Sequence, residues 1–231
     1  MSGLTSILEY VPQIMTAFPV TIQILLLGLL FSLILGALIA CASLSKKKVL
    51  QVVAKGYIAF MRGIPTLILI FLLYLGLPQI LMQIGINMQG VKTISYIIAC
   101  LALSTSANMA EMMRTSYLAV NKGQLEAAYS VGMKFITAFR RIIFPQAFGI
   151  AIPTLGNNII LLFKETSLAF TVGVIDILGK GRAISSASYG TNRLEVYIVC
   201  GLIFWAICFI LEKGTKMLEK VYTKGRKQAT S

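Results

Sequence analysis

Three polar residues interrupt an otherwise apolar stretch in the second half of the chain: Asn158, Lys164 and Glu165. A charged side chain at the centre of a lipid bilayer costs about 2.5 to 3.5 kcal/mol, so it usually faces a cavity or an opposite charge. Asn158 precedes Glu165 by seven residues, which is two helical turns and nearly the same helix face. These residue types predict a path for a polar solute, flanked by Leu155 and Leu162. Two alternatives are that Asn158 bonds to a neighbouring helix and that Lys164 extends to the membrane surface.

The residue types needed for catalysis are missing or wrongly spaced. The sequence has no histidine, and therefore neither a Ser-His-Asp set nor a histidine metal site. The stretch from Gly173 to Gly181 approaches the phosphate-binding pattern G-x-x-x-x-G-K-[ST], but it has one residue too many and lacks the terminal hydroxyl. The four cysteines lie in apolar runs without C-x-x-C spacing, so we interpret them as packing residues. The chain is therefore predicted not to be an enzyme, and any transport must draw energy from a partner or an ion gradient.

The composition predicts a membrane protein. Of the 231 residues, 57% are hydrophobic and 13% are charged, which is more apolar surface than a soluble domain buries in one core. A membrane-spanning helix needs about 20 apolar residues. Charge-free runs predict five spans, at residues 10–45, 63–91, 93–110, 142–163 and 196–211. Residues 1–19 are expected to lie on the membrane ahead of the first helix, which should begin near Val20.

The basic residues indicate how these spans are oriented. The net charge is +13, but the positive residues cluster beside the apolar runs and form no solvated arm, which argues against nucleic-acid binding. Fifteen of them follow the first, third and fifth spans, and only four lie on the opposite side: Lys92, Lys180, Arg182 and Arg193. Because the positive-inside rule places Lys and Arg in the cytoplasm, we predict an extracytoplasmic N-terminus and a cytoplasmic C-terminus.

Residues 114–145 form the longest polar stretch, yet they keep a helical period, so they are predicted to be folded helix on the cytoplasmic side. The stretch contains a short motif: Glu126, Ala127, Ala128, Gly132 and Pro145. Small alanines let a helix approach another protein closely, and a glycine permits a tight turn. Glu126 at the N-terminal end of such a helix would interact favourably with its dipole. An ordinary amphipathic surface helix is the alternative.

This motif closely resembles the EAA loop of binding-protein-dependent ABC permeases. Three further stretches are similar to motifs of the polar amino acid branch of that family, whose members look alike over nearly the whole chain. Residues 62–67 resemble R-G-T-P-L, residues 107–114 resemble A-Y-x-A-E-x-x-R, and residues 164–168 resemble K-D-T-S-L. The chain departs from these patterns at Ile64, Asn108 and Glu165. The motif residues with an expected structural role are Arg62, Gly63, Pro65, Glu111, Arg114 and Pro145, with an ion pair between Glu111 and Arg114.

The resemblance implies the fold of a type I ABC importer transmembrane domain, with residues 1–231 as one domain and 114–145 as its coupling region. It implies a bacterial inner-membrane location and several partners: a second permease subunit, identical or paralogous, two ATPase subunits that bind ATP and Mg, and an extracytoplasmic solute-binding protein. This chain itself would bind no cofactor. Glu126 to Gly132 would dock with an ATPase subunit, and the substrate pathway would comprise Asn158, Leu162, Lys164, Glu165, Thr166 and Ser167.

The resemblance also favours one substrate among several. Residues 164–171 and 194–197 look most like cystine permeases within the branch. In relatives that carry basic amino acids, the position matching Asn158 is often acidic, so an asparagine weakens the case for arginine or lysine. Glutamine and other polar amino acids remain alternatives. A secondary transporter is disfavoured because the sequence shows no paired repeat, and a channel because it has no filter signature such as T-V-G-Y-G.

Overall fold

The structure is a computed structural model that describes residues 2–227. These residues form eleven α-helices: α1 Ser2–Met15, α2 Phe18–Ser43, α3 Lys48–Gly63, α4 Thr66–Phe71, α5 Leu77–Gln83, α6 Thr93–Leu118, α7 Lys122–Ser130, α8 Phe135–Ala138, α9 Phe144–Glu165, α10 Ile177–Ala187 and α11 Arg193–Lys227. Two π-helical segments, Leu72–Gly76 and Phe139–Ile143, and a 3-10 segment, Thr166–Val172, continue some of these helices. No strand occurs within the described residues, and the predicted all-α class is confirmed.

Five stretches of the described chain are long and apolar enough to cross a membrane, which confirms the predicted number. They are Phe18–Ser43, Thr66–Gln83, Thr93–Leu118, Phe135–Val172 and Arg193–Tyr222. Their bounds differ from those of the charge-free runs. The third span, α6, continues past its predicted end at Ala110 because Glu111 and Arg114, one turn apart on its surface, neutralise each other. The second ends at Gln83, shortly before a glycine turn.

The N-terminal residues form a separate helix, α1, ahead of the first span. Pro19 lies in the first turn of α2, where its missing N–H would have had no helical partner, so α2 starts at Phe18. Ile14 is fully buried against α10 and α11. The Asn192 amide donates a hydrogen bond of 2.8 Å to the hydroxyl of Tyr10. α1 is therefore attached to the last two helices of the chain.

The centre of the fold is the pairing of α2 with α6. Along α2, small residues recur at every fourth position and are buried: Gly28, Ser32, Gly36 and Ala40. This spacing is the usual way in which membrane helices approach closely. A Cβ at Gly36 would lie 2.7 Å from the Cβ of Met109 on α6, so glycine alone permits the observed contact. The helix α6 is consequently the most buried of the five spans.

Both π-helical segments precede a proline at the same spacing. Leu72–Gly76 is followed by Pro78, and Phe139–Ile143 is followed by Pro145. A proline lacks an N–H, and its ring collides with the carbonyl four residues earlier. In each segment the next N–H bonds to the carbonyl five residues back, which widens the turn and lets the helix continue. The chain therefore stays helical through both prolines.

Candidate functional site

The Glu165 carboxylate lies where α9 faces α4 and α6. Its Oε1 accepts a hydrogen bond of 3.0 Å from the hydroxyl of Thr66, whose Oγ1 lies 3.4 Å from Oγ of Ser104. Neither salt bridge of the described residues involves Glu165. Its Oε2 accepts no hydrogen bond from the described residues, and no buried side-chain oxygen among them lacks a partner. The Oε2 atom therefore reaches accessible space and can accept a bond from a solute.

The Asn158 amide lies on the same side of α9 and also faces α6. Its Nδ2 is 3.9 Å from Sδ of Met109 and 3.9 Å from Sδ of Met112, which are weak acceptors. The carbonyl Oδ1 receives no bond from the described residues, so it too reaches accessible space. The interhelical contact, which was the alternative to a pathway role, thus uses only the donor end of the amide, and the acceptor end stays available.

The stretch from Arg62 to Thr66 brings a second motif into this site. Helix α3 ends at Gly63, after which Ile64 and Pro65 are extended, with ψ of 134° and 132°. The residue before a proline avoids the helical conformation, so the chain must break there. Thr66 then opens α4, which directs its hydroxyl at a carboxylate 99 positions away in the sequence. Thr66 and Ser104 were not predicted as site residues, although Thr66 lies within the motif at residues 62–67 and Ser104 begins a run of three hydroxyl residues in the third span.

The remaining predicted pathway residues have different surroundings. Thr166 and Ser167 begin the 3-10 segment, and each hydroxyl donates a bond of 2.7 Å to a carbonyl three residues earlier. Thr166 and Leu162 are completely buried, and Leu162 packs against α2 beneath Gly28. Lys164 is exposed. Of the predicted set, the structure brings Asn158 and Glu165 to one face.

Glu111 and Arg114 form the expected ion pair on α6. The Arg114 guanidinium donates two hydrogen bonds to the carboxylate, of 2.9 Å and 2.6 Å. Their side chains are 28% and 27% exposed, so the pair lies at the surface of this chain. Arg62 brings a further positive charge near the same carboxylate. Because both partners are occupied by each other, the pair stabilises the end of α6 and has no contact with Glu165.

Helix α7, the predicted coupling helix, begins earlier than the position of Glu126 suggests. Asn121 caps it, since Oδ1 accepts a hydrogen bond of 2.8 Å from the Gly123 N–H. Glu126 therefore lies in the middle of α7, and the expected interaction with the helix dipole is wrong. Ala128 is only 2% exposed and packs against its own chain, whereas Glu126 and Ala127 are exposed. Two residues of the triplet are thus free to contact a partner.

Gly132 provides the expected tight turn after α7. Its φ of +76° is left-handed, a conformation that glycine adopts without strain. Its N–H bonds to the Tyr129 carbonyl at 2.9 Å, and the Met133 N–H bonds to the Ala128 carbonyl at 3.0 Å. These two bonds form a Schellman motif, which ends a helix and redirects the chain. The turn determines the direction in which α7 projects from the bundle.

Comparisons with known proteins agree with this architecture. The chain is 37% identical over 218 residues to the L-cystine transport system permease protein TcyL of Bacillus subtilis (strain 168), which covers 94% of this chain and 90% of the relative. It is 34% identical over 216 residues to the nopaline transport system permease protein NocM of Agrobacterium fabrum (strain C58 / ATCC 33970), which covers 92% and 89%. A chain in the crystal structure of an amino acid ABC transporter with histidines superposes with a TM-score of 0.81 at 31% identity, covering 94% of this chain and 97% of that one.

The family assignment rests on most of the chain. Residues 28–222 match the family described as "Binding-protein-dependent transport system inner membrane component". This range includes all the site residues described above and the whole of residues 114–145. Members of the family are permease subunits, whose ATPase is a separate subunit, so the prediction that the chain is not an enzyme is confirmed. The chain belongs to the family of binding-protein-dependent transport system inner membrane components, as a multi-pass membrane permease subunit.

Proposed function

We propose that this chain is the permease subunit of an ATP-driven importer of polar amino acids, with L-cystine as its substrate. Two relatives and a solved structure from amino acid transport systems support the class of substrate. The importer contains two ATPase subunits, a second permease subunit that is identical or paralogous, and a solute-binding protein outside the membrane. ATP and Mg bind to the ATPase subunits.

The observation that carries this proposal is the pair of open acceptor oxygens on one face of α9. Asn158 Oδ1 and Glu165 Oε2 belong to residues seven positions apart, which is about 10 Å along a helix at ~1.5 Å per residue. Such acceptors suit the ammonium group that every amino acid carries. Lys164 and Ser167 border the path, and the buried Thr166 and Leu162 support it from the core side. An amino acid with a donor at each end can bridge both oxygens.

The pair of acceptors favours cystine among such amino acids. Cystine carries an ammonium group at each end and no net charge. Arginine and lysine also carry two donor groups, but in relatives that carry basic amino acids the position matching Asn158 is often acidic, and in this chain it is a neutral amide. The second donor of glutamine is a neutral amide, which is a weaker partner for a carboxylate than an ammonium group. The similarity to the cystine permease supports the same order of preference.

The coupling region transmits the conformational change of the ATPase subunits to the membrane spans. Helix α7 presents Glu126 and Ala127 outward, which suits docking in a groove of an ATPase subunit, and Gly132 sets its direction. ATP binding closes the ATPase pair and moves α7, and the spans then open toward the loaded binding protein. Hydrolysis resets the assembly. Glu126, Ala127, Ala128 and Gly132 therefore act in coupling and not in substrate binding.

Uptake into proteoliposomes tests the proposed function. The purified permease is reconstituted with its ATPase and binding protein, and uptake of radiolabelled cystine, glutamine and arginine is measured with ATP inside the vesicles. Uptake of cystine that requires ATP, binding protein and an active ATPase is expected. Uptake that persists with a hydrolysis-deficient ATPase would contradict the proposal and favour a secondary transporter or a channel. ATP-dependent uptake of another amino acid alone would overturn the choice of cystine.

The same assay tests the site with two neighbouring asparagines. Asn158→Ala removes an acceptor worth about 1.5 to 3 kcal/mol when it binds a charged group, so KM for uptake should rise about tenfold or more. The matched control is Asn157→Ala, which changes the adjacent, exposed asparagine. Its uptake should stay close to that of the unmodified chain. Equal effects of the two substitutions would refute the assignment of Asn158.

A further inference from the structure

Six aromatic rings form an unbroken series at the end of the bundle that carries α7. The series comprises Tyr117, Phe135, Phe139, Phe144, Phe148 and Tyr222. Successive ring centroids are 5.5 to 6.4 Å apart, within the range of favourable aromatic pairs. Phe139 is the branch point, since its ring contacts Tyr117 at 6.4 Å, Phe135 at 5.9 Å and Phe144 at 6.1 Å.

Two of these rings flank α7 symmetrically along the chain. Tyr117 lies in the last turn of α6, five residues before α7 begins at Lys122. Phe135 opens α8, five residues after α7 ends at Ser130. Phe139 contacts both rings and so links the residues that precede α7 to those that follow it. A displacement of α7 must therefore act on this cluster first.

The rest of the series leads to the helices of the substrate site. Phe139 and Phe144 lie at the two ends of the π-helical turn, so their contact spans the widened part of the helix. Phe148 lies one turn further along α9, and its ring meets Tyr222 of α11 at 5.5 Å. The same α9 carries Asn158 and Glu165. The aromatic series thus connects the base of α7 with α9 and α11.

The aromatic contacts matter because the π-helical turn Phe139–Ile143, between α7 and α9, is the segment that would bend most easily. Its hydrogen bonds have a wider register than those of an α-helix, and such turns are often found at functional sites. Without a side-chain brace, movement of α7 would be absorbed as bending at Phe139–Ile143. The ring contacts across the turn oppose that bending, so α8 and α9 move as one body.

We propose that Phe139 is a positioning residue that transmits the movement of α7 to α9 and α11, an inference that rests on the proposed function. Phe139 touches no substrate atom in this scheme. It acts by keeping the coupling region and the site helix in a constant relative orientation during the ATPase cycle. Loss of its ring should therefore uncouple ATP hydrolysis from uptake without preventing assembly.

The test compares Phe139→Leu with Phe139→Tyr, which restores the ring, and with the control Phe209→Leu. The ring of Phe209 stacks on Trp205 in α11, with the ring centroids 5.9 Å apart, and it pairs with none of the six rings of the series. Assembly with the ATPase is measured by size-exclusion chromatography, and uptake per ATP hydrolysed is measured in proteoliposomes. Phe139→Leu should assemble normally and keep basal ATPase activity within about twofold, but uptake per ATP should fall at least about fivefold. Phe139→Tyr and Phe209→Leu should retain the uptake ratio of the unmodified complex.

Normal uptake per ATP in Phe139→Leu would overturn the inference, and so would an equal loss in Phe209→Leu. If Phe139→Leu does not assemble, Tyr117→Leu decides the question, because it removes one contact of the branch point and leaves the other two. A reduced uptake ratio in Tyr117→Leu supports the inference, and an unchanged ratio refutes it. Failure of the unmodified complex to transport would count against the proposed function itself, which separates the two outcomes.

Discussion

Thr66 donates the hydrogen bond that holds the Glu165 carboxylate in place, and it does so from the first residue of a different span. Replacing it by valine keeps the shape and removes the donor. A hydrogen bond to a charged group contributes about 1.5 to 3 kcal/mol. Thr66→Val should therefore raise KM for amino acid uptake about tenfold, since 1.4 kcal/mol corresponds to a factor of ten.

Thr66→Ser is the matched control for this substitution, because it retains the hydroxyl and loses only a methyl group. Its KM should stay within about threefold of the unmodified value. If Thr66→Val and Thr66→Ser behave alike in the uptake assay, the hydroxyl has no part in positioning Glu165.

Asp176 is a buried carboxyl that caps α10 outside the spans. It is completely buried and accepts bonds from the Gly179 and Leu178 N–H groups, at 2.9 Å and 3.3 Å. Burial raises the pKa of this carboxyl from 3.8 to about 6, although the two backbone bonds lower it in part. The folded protein thus binds the proton more tightly than the unfolded chain. This contribution to stability is complete below about pH 4 and is lost as the pH rises through 6.

Asp176→Asn should remove this pH dependence, because the amide oxygen can still cap the helix but does not titrate. A shift of two pKa units corresponds to about 3 kcal/mol, so the Tm of the detergent-solubilised protein should fall less between pH 4.5 and pH 7 in the variant. Scanning fluorimetry across that range provides the measurement. Glu9→Gln, which changes an exposed acid, is the control and should keep the pH profile of the unmodified protein. Superimposable profiles for the Asp176 variant and the unmodified protein would exclude this role.

The sequence predicted the two acceptors of the candidate site but not the hydroxyl that contacts Glu165. Asn158 and Glu165 were recognisable because a polar residue in an apolar span is costly and is therefore usually functional. Thr66 was not, because its meeting with Glu165 depends on the packing of α4 against α6 and not on any local spacing. The position of Glu126 was misjudged for a similar reason, since the cap at Asn121 and not the motif determines where α7 begins.

Among the helices, the α2 and α6 pair is in a close contact that tolerates little change. Gly36→Ala would place a Cβ 2.7 Å from Met109 Cβ and 3.2 Å from backbone atoms of α6, none of which lies at the flexible end of a side chain. The helices must then separate, at a cost of about 1 to 3 kcal/mol for an overpacked core. Gly36→Ala should consequently lower the Tm by several degrees.

Gly201→Ala is the matched control, since it adds the same methyl group within another span where nothing lies within 4 Å. Alanine is favoured over glycine in a helix interior by roughly 0.5 to 1 kcal/mol, so this variant should be as stable as the unmodified protein or slightly more stable. Similar losses of Tm in both variants would indicate that helix propensity and not the close contact governs the effect.

The helix ends and the prolines show where a sequence pattern becomes ambiguous. A charge-free run marks a span, but a helix can extend beyond it when charges pair with each other, as Glu111 and Arg114 do on α6. Pro78 lies inside a span, where the preceding π-helical turn compensates for its missing hydrogen bond and the span continues to Gln83. Propensity predicts the cost of such a residue but not how neighbouring turns accommodate it.

One of the five spans is mostly buried by the described residues, and the other four are not; the two least buried are the second and the fifth. In the most apolar part of each span, 67% of the residues of Thr93–Leu118 are buried, against 11% for Thr66–Gln83 and 17% for Arg193–Tyr222. An apolar helix that its own chain does not cover must be covered by lipid or by another membrane subunit. This arrangement suits a permease that pairs with a second subunit, and it could not be read from hydropathy, which is high for all five spans.

The orientation of these spans is the property of the whole molecule that the charge distribution predicts most directly. The side of the membrane that follows the even-numbered spans has four basic residues, and the side that follows the odd-numbered spans has fifteen. The turn after α10 should therefore face outward, and α7 should face the cytoplasm.

Labelling of two exposed positions tests this orientation. Tyr189 lies in the turn after α10 and is 99% exposed, and Gln124 is exposed on α7. With Cys41 and Cys208 replaced by alanine, cysteine at position 189 should react with a membrane-impermeant maleimide on intact spheroplasts, and cysteine at 124 should react only after permeabilisation. The parent chain serves as control, because Cys100 and Cys200 are buried and should stay unlabelled. Labelling of position 124 from outside would invert the topology, and docking of α7 with a cytoplasmic ATPase would then be impossible.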